Sequence, residues 1–117
     1  MSFAFPKSRR LQKNSDIRAV LRFGKKISVG SFLIKWKPRG ADTKQSRFCF
    51  MVRKKDVKTA VRRNRAKRLV REFFRLYGGK LLGPVDMVVQ IADCKILKYN
   101  EIEGFLKTSL KQAGILR

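Results

Sequence analysis

The 117-residue chain has no histidine, two cysteines, three prolines and eight acidic residues. Without histidine, the usual general base and the commonest transition-metal ligand are both missing. Cys49 and Cys94 are not spaced like metal ligands, and Cys49 lies in an apolar strand pattern, so two buried thiols are expected rather than a disulfide or a zinc site. No apolar run approaches the roughly 18 residues of a membrane span, and the N-terminal MSFAFPKSRR lacks the apolar core of a signal peptide. A cytoplasmic protein with no membrane partner is therefore expected. Neither a glycine-rich phosphate loop nor a nucleophile elbow frames the isolated Ser, Asp and Lys residues. No catalytic residue and no metal ligand is assigned to this chain.

What the chain has is positive charge. Thirty Lys and Arg against eight Asp and Glu give a net charge of +22, far more than solubility alone requires. With 44% hydrophobic residues and nine Phe it is not a disordered basic tail, and its length suits one domain over residues 1–117. The segment Arg53–Arg75 places 11 of the 30 basic residues in 23 positions. Within it, and just beyond, Ala66, Leu69, Val70, Phe73, Phe74 and Tyr77 recur at the spacing of a helix with about 3.6 residues per turn, so one side is predicted to dock on a core. Asn64, Arg68, Arg71 and Arg75 fall about half a turn away, flanked by Arg65 and Lys67. Helices that are merely solvated usually mix signs, whereas here only Asp56 and Glu72 oppose the cations. Self-repulsion of that kind is tolerable when a polyanion neutralises it.

Around this helix the pattern is mixed. Met1–Asn14 reads as basic and extended. Ser15 is the expected N-cap of a short helix with Ile17, Val20 and Leu21 on its apolar face, stopped by a left-handed Gly24. Ile27–Lys37 reads as a strand, with Phe32, Ile34 and Trp36 on one face and Leu33, Lys35 and Lys37 on the other. Pro38–Gln45 is expected as a hairpin-like loop. Arg47–Arg53 follows as a central strand, since Phe48, Cys49, Phe50, Met51 and Val52 are apolar on both faces. Gly78 and Gly79 end the basic helix, and Val85–Ala92 is a further buried strand. Asn100 and Glu103 suggest a capping box for a last helix, whose buried stripe is Ile102, Phe105, Leu106, Leu110 and Ala113 and which Gly114 stops. The sum is helix, two or three strands, helix, strand and helix, an α+β sandwich, αβββαβα with three strands, in which three helices pack on one central mixed sheet.

The stretch VRKKDVKTAVRRNRAKRLVREFF, with RLQKNSDIRAVLRFGKK before it and GPVDMVVQIA and EIEGFLKTSLKQAG after it, resembles the ribonuclease P protein family of bacteria. Arg63, Asn64, Arg65, Lys67, Arg68 and Arg71 coincide with that family's Arg-Asn-Arg signature helix. The resemblance implies a left-handed parallel crossover around this helix. It also implies an accessory protein subunit of an endoribonuclease that removes the 5′ leader of precursor tRNA. The catalytic centre then lies in the RNA subunit, and the magnesium the ribonucleoprotein requires is held through that RNA, the protein alone binding no cofactor. The implied partners are the ribonuclease P RNA subunit, one protein per RNA, and precursor tRNA.

Two surfaces follow. The RNA-gripping residues are Arg53, Lys54, Lys55, Arg63, Asn64, Arg65, Lys67, Arg68, Arg71 and Arg75, suited to phosphates and sugar hydroxyls. A cleft for the single-stranded leader is assigned to Ile17, Leu21, Lys35, Phe48 and Phe50. Relatives often carry aromatic residues at the positions of Ile17, Leu21 and Lys35, so this leader path is expected to be apolar and cationic, with weaker base stacking. A ribosomal or other structural RNA-binding protein shares the charge and size and lacks only the signature block. An autonomous nuclease is disfavoured by the missing histidine and scattered carboxylates.

Overall fold

The structure, a computed structural model, describes residues 10–29, 32–39, 46–52, 59–78, 81, 83–91 and 98–116. Arg53, Lys54, Lys55 and Cys94 lie outside them. The elements run α1 (Asn14–Phe23), β1 (Lys25–Val29), β2 (Phe32–Pro38), β3 (Arg47–Val52), α2 (Ala60–Tyr77), β4 (Val85–Ile91) and α3 (Tyr99–Gln112). This is the expected αβββαβα order.

The strands form one sheet in the order β1-β2-β4-β3. β1 with β2 and β2 with β4 are antiparallel, while β3 and β4 are parallel neighbours joined through α2. Three expectations change here. The strand read as Ile27–Lys37 is a pair, Lys25–Val29 and Phe32–Pro38, and the shift in apolar phase between Val29 and Phe32, at Gly30 and Ser31, is the sequence signal that the single-strand reading passed over. β3 stands at the sheet's edge, and β4 is the central strand. The connection from β2 to β3 is not a hairpin, since β4 lies between them.

Pairing register assigns the faces. Phe32, Ile34 and Trp36 of β2 align with Ile91, Val89 and Met87 of β4, and these align in turn with Val52, Phe50 and Phe48 of β3. That face carries the main core, closed by Ala66, Val70, Phe73 and Phe74 of α2 and by Ile102, Leu106 and Leu110 of α3. The opposite face presents Lys35, Val88 and Cys49 in one row and Leu33, Gln90 and Met51 in the next. There α1 builds a small cluster of Leu11, Val20 and Val88, with Ile17, Leu21, Cys49 and Met51 packed around it.

The helix ends differ from expectation. α1 begins at Asn14 with Ser15 already in its first turn, and α3 begins at Tyr99 with Asn100 in its first turn; neither start has a side-chain cap. Glu103 accepts a hydrogen bond from the Tyr77 hydroxyl at 3.1 Å and so ties α3 to α2 rather than closing a capping box. Phe105 is 41% exposed and leaves the buried stripe of α3. Gly24 is extended, not left-handed, with φ −73°. It is required for another reason: a Cβ there would lie 2.5 Å from the Val20 carbonyl oxygen and 2.8 Å from that of Trp36. Gly78 stays right-handed at the end of α2. Gly114, at φ +80°, ends α3 as expected, and the Leu110 carbonyl accepts the N–H groups of Ile115 and Leu116.

Candidate nucleic-acid interface

The apolar stripe of α2 docks as its spacing predicts: Ala66, Val70, Phe73 and Phe74 are buried, with Leu69 and Tyr77 half-buried. Its opposite side carries Asn64, Arg65, Arg68 and Arg75, all exposed. The helix is thereby held in one orientation with guanidinium groups along its summit. Arg75 stands apart, because its Nε donates to Glu72 Oε2 at 3.0 Å in a two-pronged pair that also holds the Glu72 carboxyl below its usual pKa.

Arg63, Lys67 and Arg71 are half-buried and form the flank of α2 rather than its summit. The Arg71 guanidinium sits 6.0 Å from the centroid of the Phe50 ring. Below it, a cavity of about 320 Å³ opens at the β3 edge. Lys67 and Arg71 line it from α2, Phe48, Cys49 and Phe50 from β3, and Arg10, Leu11 and Gln12 from the segment before α1. That segment is not simply extended and loose, for Leu11 is buried and its N–H donates to the Phe48 carbonyl at 2.9 Å. Arg10 and Gln12 are site-lining residues that sequence reasoning missed. Their signal was Leu11, an apolar residue in a basic run, which pins both neighbours to the sheet.

The structure divides the five residues assigned to the leader cleft. Ile17, Leu21 and Lys35 share the α1 face of the sheet. Phe48 and Phe50 do not, since alternation turns both toward α2. Phe48 is 3% exposed, with its ring 5.0 Å from that of Phe74, and Phe50 lies 5.9 Å from the same ring. Phe48 belongs to the core and Phe50 is half-buried against it, and both edge onto the cavity under Lys67 and Arg71. Cys49 and Met51 occupy the cleft face in their place. Burial raises the Cys49 thiol above its usual pKa, and the nearby Lys67 charge opposes the shift.

Beside α1 lies an ion-pair network. Arg47 donates from Nε and Nη2 to the two carboxylate oxygens of Asp86, both at 2.8 Å. Arg47 Nη2 also reaches Asp16 of α1 at 3.4 Å, and Arg39 Nε lies 3.4 Å from Asp86. The Asp86 hydrogen bond outweighs partial burial and raises the Arg47 pKa further. Among the described residues no three His, Cys, Asp or Glu side chains group as a metal site, and no helix is long and apolar enough to cross a membrane.

A one-sided cationic helix clamped to a mixed sheet, with a basic groove beside it, defines a class of protein suited to binding a polyanion. Comparison with known proteins makes that class specific. The Ribonuclease P family model matches residues 5–114. The ribonuclease P protein component of Dictyoglomus thermophilum is 35% identical over 98% of this chain and 96% of its own, and that of Staphylococcus epidermidis is 30% identical over 93% of each. Among solved structures, the Staphylococcus aureus RNase P protein superimposes with a TM-score of 0.80 at 26% identity over 95% of this chain and 100% of its own. The Thermotoga maritima protein gives 0.76 at 27% identity, over 88% and 96%. The chain belongs to the ribonuclease P protein family. Its function is that of the protein component of this endoribonuclease, acting with an RNA subunit in tRNA 5′ processing; the catalytic RNA is not in this chain. The ribosomal alternative is not favoured.

Proposed function

We propose that the summit of α2, Asn64, Arg65 and Arg68, grips the RNA subunit, and that the groove beside α1 receives the single-stranded leader of precursor tRNA. The observation that carries this reading is the clamped orientation of α2: an apolar stripe buried in the core leaves the opposite cations rigidly displayed. Arginine suits the task because its planar fork holds a phosphate by two hydrogen bonds. The leader path runs past Ile17 and Leu21, over Cys49 and Met51, to the cavity under Lys67 and Arg71. Few bases can stack along it, so charge and apolar contact hold the strand. Arg53, Lys54 and Lys55 extend the RNA-gripping surface in this reading by resemblance alone. One protein serves each RNA, and magnesium is held by the RNA, in a cytoplasmic particle.

The test is a salt series. Six to ten phosphate contacts would lower affinity for the RNA subunit by about three to five orders of magnitude between low and moderate salt. Arg68→Ala should flatten that slope and weaken assembly while thermal stability stays within about 0.5 kcal/mol. A nearly flat salt dependence of the unmodified protein overturns the assignment of the ridge.

A further inference from the structure

α1 is too short to be stable alone, and Val20 is its only buried side chain. Its position over the sheet therefore depends on what holds each end. At the C-terminal end, Gly24 lies against the Trp36 carbonyl with no room for a Cβ. At the N-terminal end, Leu11 anchors the preceding segment to the Phe48 carbonyl, and within the helix Asp16 reaches Arg47. Arg47 is a rigid post, because both prongs of its guanidinium bind Asp86. The post is braced from neighbouring strands: the Val85 N–H donates to Ser46 Oγ at 3.0 Å, and the Arg39 N–H to the Pro84 carbonyl at 3.0 Å.

We infer that Asp16 and Arg47 are positioning residues whose ion pair sets the angle of α1 over the sheet, and with it the width of the groove between Ile17, Leu21 and the Cys49–Met51 surface. The inference rests on the reading of that groove as the leader site. Charge makes the assignment pointed. A protein that binds RNA with thirty cations and eight acids gains nothing electrostatic from a carboxylate on its RNA-facing side, since Asp16 repels phosphate. Its contribution is mechanical. Leu11 still anchors the segment before α1, so loss of the ion pair lets the first turn of α1 shift between that anchor and Gly24, and the groove no longer matches a single strand.

The two roles of Asp16 give opposite signs. Were it only a repulsive charge, Asp16→Asn would tighten precursor binding. As a positioning residue, its loss weakens precursor binding although a negative charge has been removed. The experiment uses the protein reconstituted with its RNA subunit and measures dissociation constants for precursor and mature tRNA with Asp16→Asn, Asp16→Glu and Arg47→Lys. Asp16→Asn should lower the preference for precursor by about fivefold, the upper range for a partly exposed ion pair, with mature tRNA unaffected. Arg47→Lys should do the same, because one ammonium cannot chelate Asp86 and reach Asp16 together. Asp16→Glu, which keeps a carboxylate, should retain the preference. A preference unchanged or raised in Asp16→Asn overturns the inference, as does an equal loss for both tRNAs or a Glu variant as poor as the Asn one. Equal affinities in the unmodified enzyme would remove the leader reading itself, and this inference with it.

Discussion

On one side of the sheet, sixteen buried residues from three strands, two long helices, the α2–β4 connection and the C-terminal segment share a single cluster, and Phe73 and Phe74 are wholly enclosed within it. On the other side, the cluster beneath α1 has three buried residues, and its margin is made of side chains such as Ile17, Leu21, Cys49 and Met51 that stay partly open. The first side fixes the direction of the α2 cations, and in the proposed reading it can be stiff because folded RNA presents a defined surface. The second leaves apolar and sulfur-containing side chains partly open, where that reading places a flexible strand. Elements that make few buried contacts open at lower free energy than the core, which is what a groove admitting a single strand needs.

The sharpest way to break the comparison is to truncate one side chain on each side. Phe74→Ala should cost about 3 to 5 kcal/mol in urea unfolding, as expected for a large buried aromatic. Val20→Ala should cost about 1.5 kcal/mol, for the two methyl groups lost from a smaller cluster. Equal losses would mean the two faces are equally built into the folding unit.

A smaller effect sharpens the comparison at α1. Gly24→Ala inserts a methyl group against two carbonyl oxygens and should destabilise by about 1 to 3 kcal/mol. Its amide chemical-shift changes should centre on α1 and β2 and leave α3 untouched. Changes spread evenly over α3 would show that α1 is not a separately adjustable element.

The smallest effect belongs to the α2–α3 seam. Burial, with Glu103 adding to it, pushes the Tyr99 phenol up to about 12. Among the described residues its buried hydroxyl makes no hydrogen bond that meets ordinary geometry. A phenol whose pKa is higher folded than unfolded gives its stability in full below pH 10, the unfolded value, and loses it as pH rises toward 12. Tyr99→Phe should leave stability at pH 7 within about 0.5 kcal/mol and make the fall between pH 10 and 12 shallower. An identical alkaline profile in both proteins would contradict the raised phenol.

α2 was legible from the residues because its periodicity and its charge report the same orientation: one stripe must be buried, and the other cannot be. The α+β class and the existence of β4 were legible for similar reasons. Strand order was not, since a run of apolar residues records burial but not its neighbours, so β3 read as central although β4 takes that place. Phe48 and Phe50 were grouped on one face with Ile17 and Leu21 for a related reason. Every residue from Phe48 to Val52 is apolar, and alternation within such a run cannot say which half faces the helices. The requirement for Gly24 comes from the Val20 and Trp36 carbonyls, and the second is a contact that no local pattern encodes.

The placement of β4 between β2 and β3 has a consequence for how the molecule is made. β2 and β3 emerge first, yet neither is the other's partner, and both must wait for residues 85–91 before their facing edges are satisfied. Until then a strongly basic nascent chain displays two open strand edges, the kind of surface that pairs with the wrong strand. The abundant positive charge therefore has a second use during synthesis. Repulsion between such basic chains opposes that pairing until β4 enters the middle of the sheet.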